Sequence, residues 1–567
     1  MARHVAVKGV CSRAMMPTRP THERPARASL VVLLSSVMLL GALRSSADDE
    51  PSPSPRPPAS PTPSDPSDAF FGEGRIPTLT LELAKEDAAR LKAEPREYVA
   101  CRLREGVETS YDGVAVKLKG GAGSFRALDD KPAFTVNVDK FCAGARFHGL
   151  AKFHLDNSVQ DDTYLDEALC AELFTAAGLP APRVTHARVS LDGRDLGLYV
   201  LKEGVDKRFL ARHFTKSKGN LYDGGFCADV DTELEKDAGK GPDDRSDLKA
   251  LVAACLEPDL LVRAKRLPEV LDVDRFLSFT ALERMACHWD GYSQNRNNYR
   301  IYFDPTGGRA VFLAHGIDQM FQDPEASVLD EPVAIVAASV LEVPAWRRLY
   351  RERLVALLPL FDPKGSLLPR VRRIAERLKP VLLAMGAEAA AAHADRVREL
   401  EERLVARDAN LREQVKREDP PALEFDKKGR ASVVGWRAVI EDGEPSLEQA
   451  DHAGRRALGI VVGKDGKCVA SWRRGVVLTR GRYVLEANVA AKGVTPRLDT
   501  EGAGAGLRVS RAVRKGGVSG SATWKLESYE FEVSDVLVHV ELVAELRATK
   551  GQAWFELGSF RLVRKGP

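Results

Sequence analysis

Apolar and polar residues alternate through Thr78-Leu79-Thr80-Leu81-Glu82-Leu83, the period of a strand with one buried face. A helical spacing follows over 84–93, and strand patterns return over 98–103, 113–118 and, after a glycine-rich stretch, 131–138. The spacing predicts a helix over 164–177, capped by Asp162 or Thr163 and ended by Gly178 ahead of Pro180. Strand patterns over 185–191 and 196–202 flank the turn Asp192-Gly193 and predict a hairpin. Residues 229–267 are polar and charged with helical stretches, the texture of a variable insertion. A helix over 274–288 then leads to a second hairpin, strands 299–303 and 310–314 about the turn Asp304-Pro305-Thr306-Gly307-Gly308. Apolar residues at three- and four-residue spacing predict helices over 345–358 and 367–415, the second broken at Pro380.

At Pro420-Pro421 the texture changes. Short strands separated by turns fill the remainder, which predicts an all-β sandwich, a jelly roll, over 420–567. At 567 residues the chain exceeds one core. The expected division is 1–47, 48–75, 76–419 and 420–567. The first segment carries Arg24 and Arg27 before an apolar run over 30–43 and small residues at Ser45-Ser46-Ala47. It reads as a signal peptide, with Met15 or Met16 as alternative starts. The protein is therefore expected outside the cytoplasm, with membrane attachment only if this segment stays uncleaved. The second segment is Pro- and Ser-rich and reads as a disordered tether.

A net charge of +3 gives no case for nucleic acid. Eight cysteines without CxxC spacing give none for zinc, and they read as buried thiols, with pairing left open. The chemistry gathers instead around the second hairpin. Asp290 stands where the helix opens into a loop, Asn295, Asn297 and Asn298 follow, and Asp318 comes just after the second strand. Two carboxylates and an amide oxygen make a hard-oxygen site for Mg²⁺ (or Mn²⁺), the arrangement by which kinases hold Mg-ATP. Upstream, Lys119-Gly120-Gly121-Ala122-Gly123-Ser124 follows a strand and lets backbone N–H groups approach phosphate. Lys131 opens the next strand, and Glu167, early in the following helix, is positioned to pair with it as a kinase helix-αC glutamate does.

Several ordered blocks resemble the CotH family, the spore-coat-protein-H-like atypical kinases. They are K-P-A-F-T-V from Lys131, L-D-N-S-V-Q-D-D-T-Y-L-D-E-A-L from Leu155, L-Y-V-L-K-E-G-V-D from Leu198, and D-G-Y-S with N-Y-R-I-Y and G-I-D-Q-M-F from Asp290 onward. The resemblance implies an α+β chain with a two-lobed, protein-kinase-like domain that transfers the ATP γ-phosphate to Ser or Thr hydroxyls of an unidentified protein. It gives Lys131 the α/β-phosphates, places ATP under Lys119, Gly121, Gly123 and Ser124, and gives Asp290 the acceptor hydroxyl. Asn298 and Asp318 become the metal ligands, although Asn295 matches the spacing of ordinary kinases. Where the family carries W-D-x-D, this chain has His315-Gly316-Ile317-Asp318, so one carboxylate is lost to Gly316. Two other readings stay open: a non-catalytic envelope protein, and a binding protein holding Ca²⁺ through Asp290 and Asp318. The C-terminal part is similar to carbohydrate-binding modules. Trp436, Trp472, Trp524 and Trp554 either stack on polysaccharide there or fill the core.

Overall fold

The computed structural model describes residues 65–567 except 73, 258, 420, 499–501, 511, 515 and 567. The expected signal peptide and most of the tether lie outside the described residues. The tether's last part is folded, contrary to the expectation of disorder. Asp68–Phe71 forms a short helix, α1. Phe70 stacks on His148 at 4.5 Å and meets Phe147 edge-on, so two aromatic residues supply an anchor that the Pro-rich context hid.

Seven strands close into a barrel: β1 (Thr78–Glu82), β2 (Val99–Glu105), β3 (Thr109–Lys119), β4 (Ala133–Asn137), β5 (Lys152–Asp156), β6 (Val184–Leu191) and β7 (Arg194–Glu203). Their order is β1-β2-β3-β4-β5-β7-β6, and parallel pairing of β6 with β1 seals the cylinder. The alternation read from the sequence sends Leu79, Leu81, Leu103, Val116, Phe134, Val136, Phe153 and Leu155 inward, where they fill the barrel. Helix α2 (Lys85–Ala93) packs on β2, and α3 (Asp166–Ala176) follows β5. Eight consecutive residues of β7 are buried. This strand serves two cores: Tyr199 and Leu201 belong to the barrel, Leu198 to the helical half.

The helical half begins with α4 (Lys207–His213), β8 (Leu221–Asp223), β9 (Glu235–Ala238), α5 (Ser246–Cys255), α6 (Leu260–Val270) and α7 (Val273–Met285). Residues 229–267 are no appendage. Val230, Leu234, Leu248, Leu251 and Leu267 all enter the same core as Phe276 and Phe279, because the helical stretches each carry one apolar face. A four-residue turn, α8 (Tyr292–Asn295), precedes the hairpin β10 (Tyr299–Asp304) and β11 (Arg309–Ala314). Then come α9 (Ile335–Leu341), α10 (Pro344–Phe361), α11 (Leu368–Met385) and α12 (Ala387–Gln414). Pro380 lies inside α11, and the expected break falls instead at Gly386, whose φ of +140° suits glycine alone.

The C-terminal part is a β-sheet unit around its own core. The long extended runs Cys468–Pro496 and Gly520–Glu556 supply most of the pairing. Leu260 of α6 packs against both this core and the helical one. Trp436, Trp472 and Trp554 are buried, and the indoles of Trp436 and Trp472 donate to the carbonyls of Val433 and Gly459. These rings fill the interior and present no face to a sugar, while Trp524 is half-buried. Cys101, Cys170, Cys287 and Cys468 are buried thiols.

Buried histidines make the barrel half sensitive to acid. His186 is 1% exposed, bonds the Tyr164 carbonyl at 2.7 Å through Nε2, and is lowered from 6.5 to about 4 by burial. Burial also lowers His154, His213 and His315. A depressed histidine contributes stability that is present above the unfolded value and is lost as pH falls toward the folded one. His186 alone is worth roughly 3 kcal/mol across that window. The urea midpoint is expected to drop between pH 7 and 4.5, and His186→Gln to drop less. Parallel curves for the two proteins would refute this.

Candidate functional site

Helix α7 delivers the first carboxylate, and its end is fastened from two directions. Arg407 of α12, fully buried, donates to the carbonyls of Met285 at 2.9 Å and Arg284 at 2.7 Å, and also to Pro324 and Ala326. Glu283, with no exposed surface, accepts the backbone N–H of Tyr292 at 2.8 Å and of Ser293 at 3.1 Å. The turn that follows α7 is therefore set by a carboxylate below it, as in a cap.

Above that turn stands Asp290. Asn295 donates to its Oδ1, Asn297 to Oδ2 at 2.9 Å, and Asn298 to Oδ2 at 2.9 Å and to the Asp290 carbonyl at 3.1 Å. Arg296 and Asn298 both hold positive φ, 55° and 51°. These left-handed residues fold the three amides back onto one carboxylate. The amide nitrogens of Asn295 and Asn298 both serve Asp290.

The hairpin pairs Tyr299 with Ala314, so the loops entering β10 and leaving β11 emerge at the same end. His315 N–H reaches the Asn298 carbonyl at 3.1 Å, and His288 Nε2 reaches that of Gly316 at 3.2 Å. Gly316 has φ +55°, and a Cβ there would lie 2.3 Å from Asn298 Oδ1. The space that a carboxylate-bearing residue would need is filled by Asn298. Gly316→Ala is expected to push Asn298 off Asp290 and cost about 1–3 kcal/mol of stability. Thermal unfolding checks this, and an unchanged melting temperature would show that the loop has slack.

Asp318 is half-buried and makes no hydrogen bond or ion pair among the described residues. Its charge is felt by Asp161, Asp166, Glu167 and Lys202. Its loop is tied to the start of α3, where Asp166 Oδ2 accepts the Met320 N–H at 2.9 Å. The start of α3 is organised by Asp161, which accepts the N–H groups of Thr163 and Asp166, together with Thr163, one of the two residues the spacing suggested, whose hydroxyl accepts the Leu165 N–H at 3.1 Å. Asp161 is the residue far enough upstream to reach over the first turn.

The barrel contributes a chain of alternating charge, half-buried at Lys119 and Asp156 and buried at Lys202 and Glu167. Lys119 of β3 pairs with Asp156 of β5, Asp156 lies 3.2 Å from Lys202 of β7, and Lys202 pairs with Glu167 of α3. Burial pushes Asp156 up, but Lys119 and Lys202 hold it well below its usual value. Burial would lower Lys202, and Asp156 and Glu167 raise it instead. Burial also raises Glu167 against the pull of Lys202.

The expected pair of Lys131 and Glu167 is not formed. Lys131 Nζ lies 3.3 Å from the Tyr164 hydroxyl, about 5.2 Å from the ring centres of Tyr164 and Tyr199, and burial lowers it to about 8. Lys202 is the partner that sequence reading missed. Its signal was a lysine within a strand otherwise buried on both faces, where charge is costly unless paired.

The glycine loop folds tightly between β3 and β4. Gly121 N–H donates to Ser124 Oγ at 3.1 Å, and Phe125 N–H to the Gly121 carbonyl at 3.0 Å. Gly123, at φ +82°, has Gln160 2.8 Å from where a Cβ would stand. Asn157 donates to the carbonyls of Ser124 at 3.1 Å and Lys131 at 2.8 Å, joining the loop to the next strand.

No group of three His, Cys, Asp or Glu side chains that would hold a metal exists among the described residues. The donor set nevertheless fits Mg²⁺ in its commoner manner, one or two carboxylates completed by phosphate and water oxygens. Among the described residues Asp318 is without a partner, and Glu167 Oε2 and Asp166 Oδ1 are buried without a hydrogen bond.

The family model described as CotH kinase protein matches residues 116–385. The inner spore coat protein H of Bacillus subtilis (strain 168) is 24% identical over 261 residues, 42% of this chain and 70% of the relative. Invasin CotH7 of Rhizopus delemar is 26% identical over 184 residues, 30% of each chain. Among solved structures, TmCBM61 in complex with beta-1,4-galactotriose is similar over 24% of this chain and 91% of its own, at 17% identity and a TM-score of 0.17.

Proposed function

Because residues 116–385 belong to the CotH family, we propose that this chain is an atypical kinase of the spore-coat and invasin type, acting at the cell envelope or outside the cell. The observation that carries the reading is the Lys119–Asp156–Lys202–Glu167 chain, buried at its Lys202–Glu167 end, with Asp318 within electrostatic reach of it. A lysine locked by a helix glutamate is what neutralises nucleotide phosphates in kinases, and here Lys202 and Glu167 take those parts. The order of glycine loop, two strands, helix and two strands supports a two-lobed reading.

In this proposal the loop of Gly121, Gly123 and Ser124 lies over the phosphates of ATP, with Lys119 at its root. Asp318 holds Mg²⁺ or Mn²⁺, which when bound neutralises phosphate charge. Asp290 orients a Ser or Thr hydroxyl and takes its proton as the oxygen bonds to the γ-phosphorus and the bond to ADP breaks. Positioning supplies most of the acceleration. The test is transfer of label from γ-labelled ATP, with Mg²⁺ or Mn²⁺, to the chain itself and to proteins of the producing cell's envelope. Transfer is expected from the parent and not from Asp318→Ala. If the parent neither transfers label nor binds ATP, the reading falls.

A further inference from the structure

A second site stands apart from this cleft. A cavity of about 650 Å³ opens between the α8–α9 region and the C-terminal sheet unit, and of the residues given a role above Arg296 alone lines it. Its sheet-side wall is built on three glutamates that arginines must share. Glu545, 1% exposed, accepts from Arg508 at 2.9 Å and Arg547 at 3.1 Å, with Arg514 at 3.4 Å. Glu541 is shared by Arg437 at 2.6 Å and Arg473 at 3.0 Å. Glu441 meets Arg473 again and lies 3.7 Å from Arg547. Five arginines thus face three carboxylates, and all eight line the cavity.

The opposite wall does not cancel the surplus. Its acids, Glu331 and Glu342, are paired to Arg347 and Arg263, while Arg296 adds a further cation at the cavity edge. Arg514 gives an independent sign. It is 7% exposed, and its Nε has no hydrogen-bond partner. A buried guanidinium N–H left unmatched among the described residues, beside surplus positive charge, favours an oxyanion. Around the mouth stand Leu256, Val333, Ile440 and Val513, all more than half exposed. Exposed apolar side chains ringing a charged floor mark a ligand with an apolar body.

We propose that this cavity binds a small anionic ligand carrying two oxyanion groups, phosphate or carboxylate, on an apolar frame. Arginine suits both groups because its planar fork gives them paired hydrogen bonds. The volume is that of an ordinary small-molecule site. Gln294 and Arg296 line the cavity, and they lie in the loop whose asparagines hold Asp290. A ligand there touches the back of that loop.

The test is calorimetric titration of the full chain with two probes, pyrophosphate for the phosphate arm and citrate for the carboxylate arm. At least one is expected to bind, more weakly at high salt. Arg473→Gln and Arg437→Glu are each expected to weaken that binding by roughly tenfold or more. Arg437 has a 58% exposed side chain, so its variant keeps the test sound if Arg473→Gln does not fold. Amide exchange on probe binding is expected to slow at 294–296 and 437–441. Failure of both probes to bind, binding indifferent to Arg437→Glu, or protection confined to 120–125 would each overturn the proposal. None of these outcomes depends on whether the chain transfers phosphate.

Discussion

Replacing Asp290 by Asn is expected to lower phosphoryl transfer by roughly a thousandfold while leaving Mg-dependent ATP affinity within about twofold. The carboxylate is held by three amide donors at the mouth of the β10–β11 hairpin, and in the proposed reaction it meets the acceptor and not the nucleotide. An amide in its place turns an NH₂ toward those donors, so the loop also loosens, by about 1–3 kcal/mol for the unsatisfied contacts. Asp318→Asn should behave the other way. Its carboxylate has no partner to lose among the described residues, so folding changes little, but Mg-dependent ATP binding should weaken by at least tenfold, on the order of a lost charged contact. Titration of ATP with and without Mg²⁺, beside single-turnover transfer, separates the two. Equal losses of binding in both variants would contradict the division of labour.

The second large effect belongs to Lys202. Lys202→Met leaves Glu167, 3% exposed at its side chain, without its cation, and leaves Asp156 with Lys119 alone. Stripping one partner from a buried pair costs about 3–5 kcal/mol. ATP binding should be lost with it. The double variant Lys202→Met/Glu167→Gln is expected to recover most of the stability, because no bare charge remains buried, and none of the binding. Urea unfolding and ATP titration read the two quantities separately. Loss of ATP binding in Lys131→Met, with Lys202→Met still binding, would return the phosphate role to Lys131.

Why Lys131 and not Lys202 stood out in the sequence is a matter of range. Local pattern carries the hairpin: two short strand-forming runs, the second wholly apolar over 310–314, and a Gly-Gly turn fix β10 and β11, and with them the nearness of Asp290 and Asp318. The glycine loop is equally local, since φ at Gly120 and Gly123 is +102° and +82°. The partner of Glu167 is not local. It follows from barrel order, in which β7 sits between β5 and β6 and carries Lys202 beside Asp156, a pairing set by strand neighbours some fifty residues apart. Gly316 is a related case. The missing carboxylate is visible in the sequence, but the side chain that takes its room, Asn298, comes from the other arm of the hairpin. Pro380 misled for a simpler reason: it was given the break that Gly386 makes, and composition does not weigh one breaker against another.

The three asparagines that hold Asp290 also ration what it has left to offer. An ionised carboxylate has about four lone-pair directions. Asn297 and Asn298 take both of those on Oδ2, and Asn295 takes one on Oδ1. A single direction on Oδ1 remains for any incoming hydroxyl, so an acceptor must arrive along one line. That makes the carboxylate a stereochemical gate: two hydroxyls of equal acidity, differing only in the angle at which their backbone presents them, would be told apart by Asp290 alone.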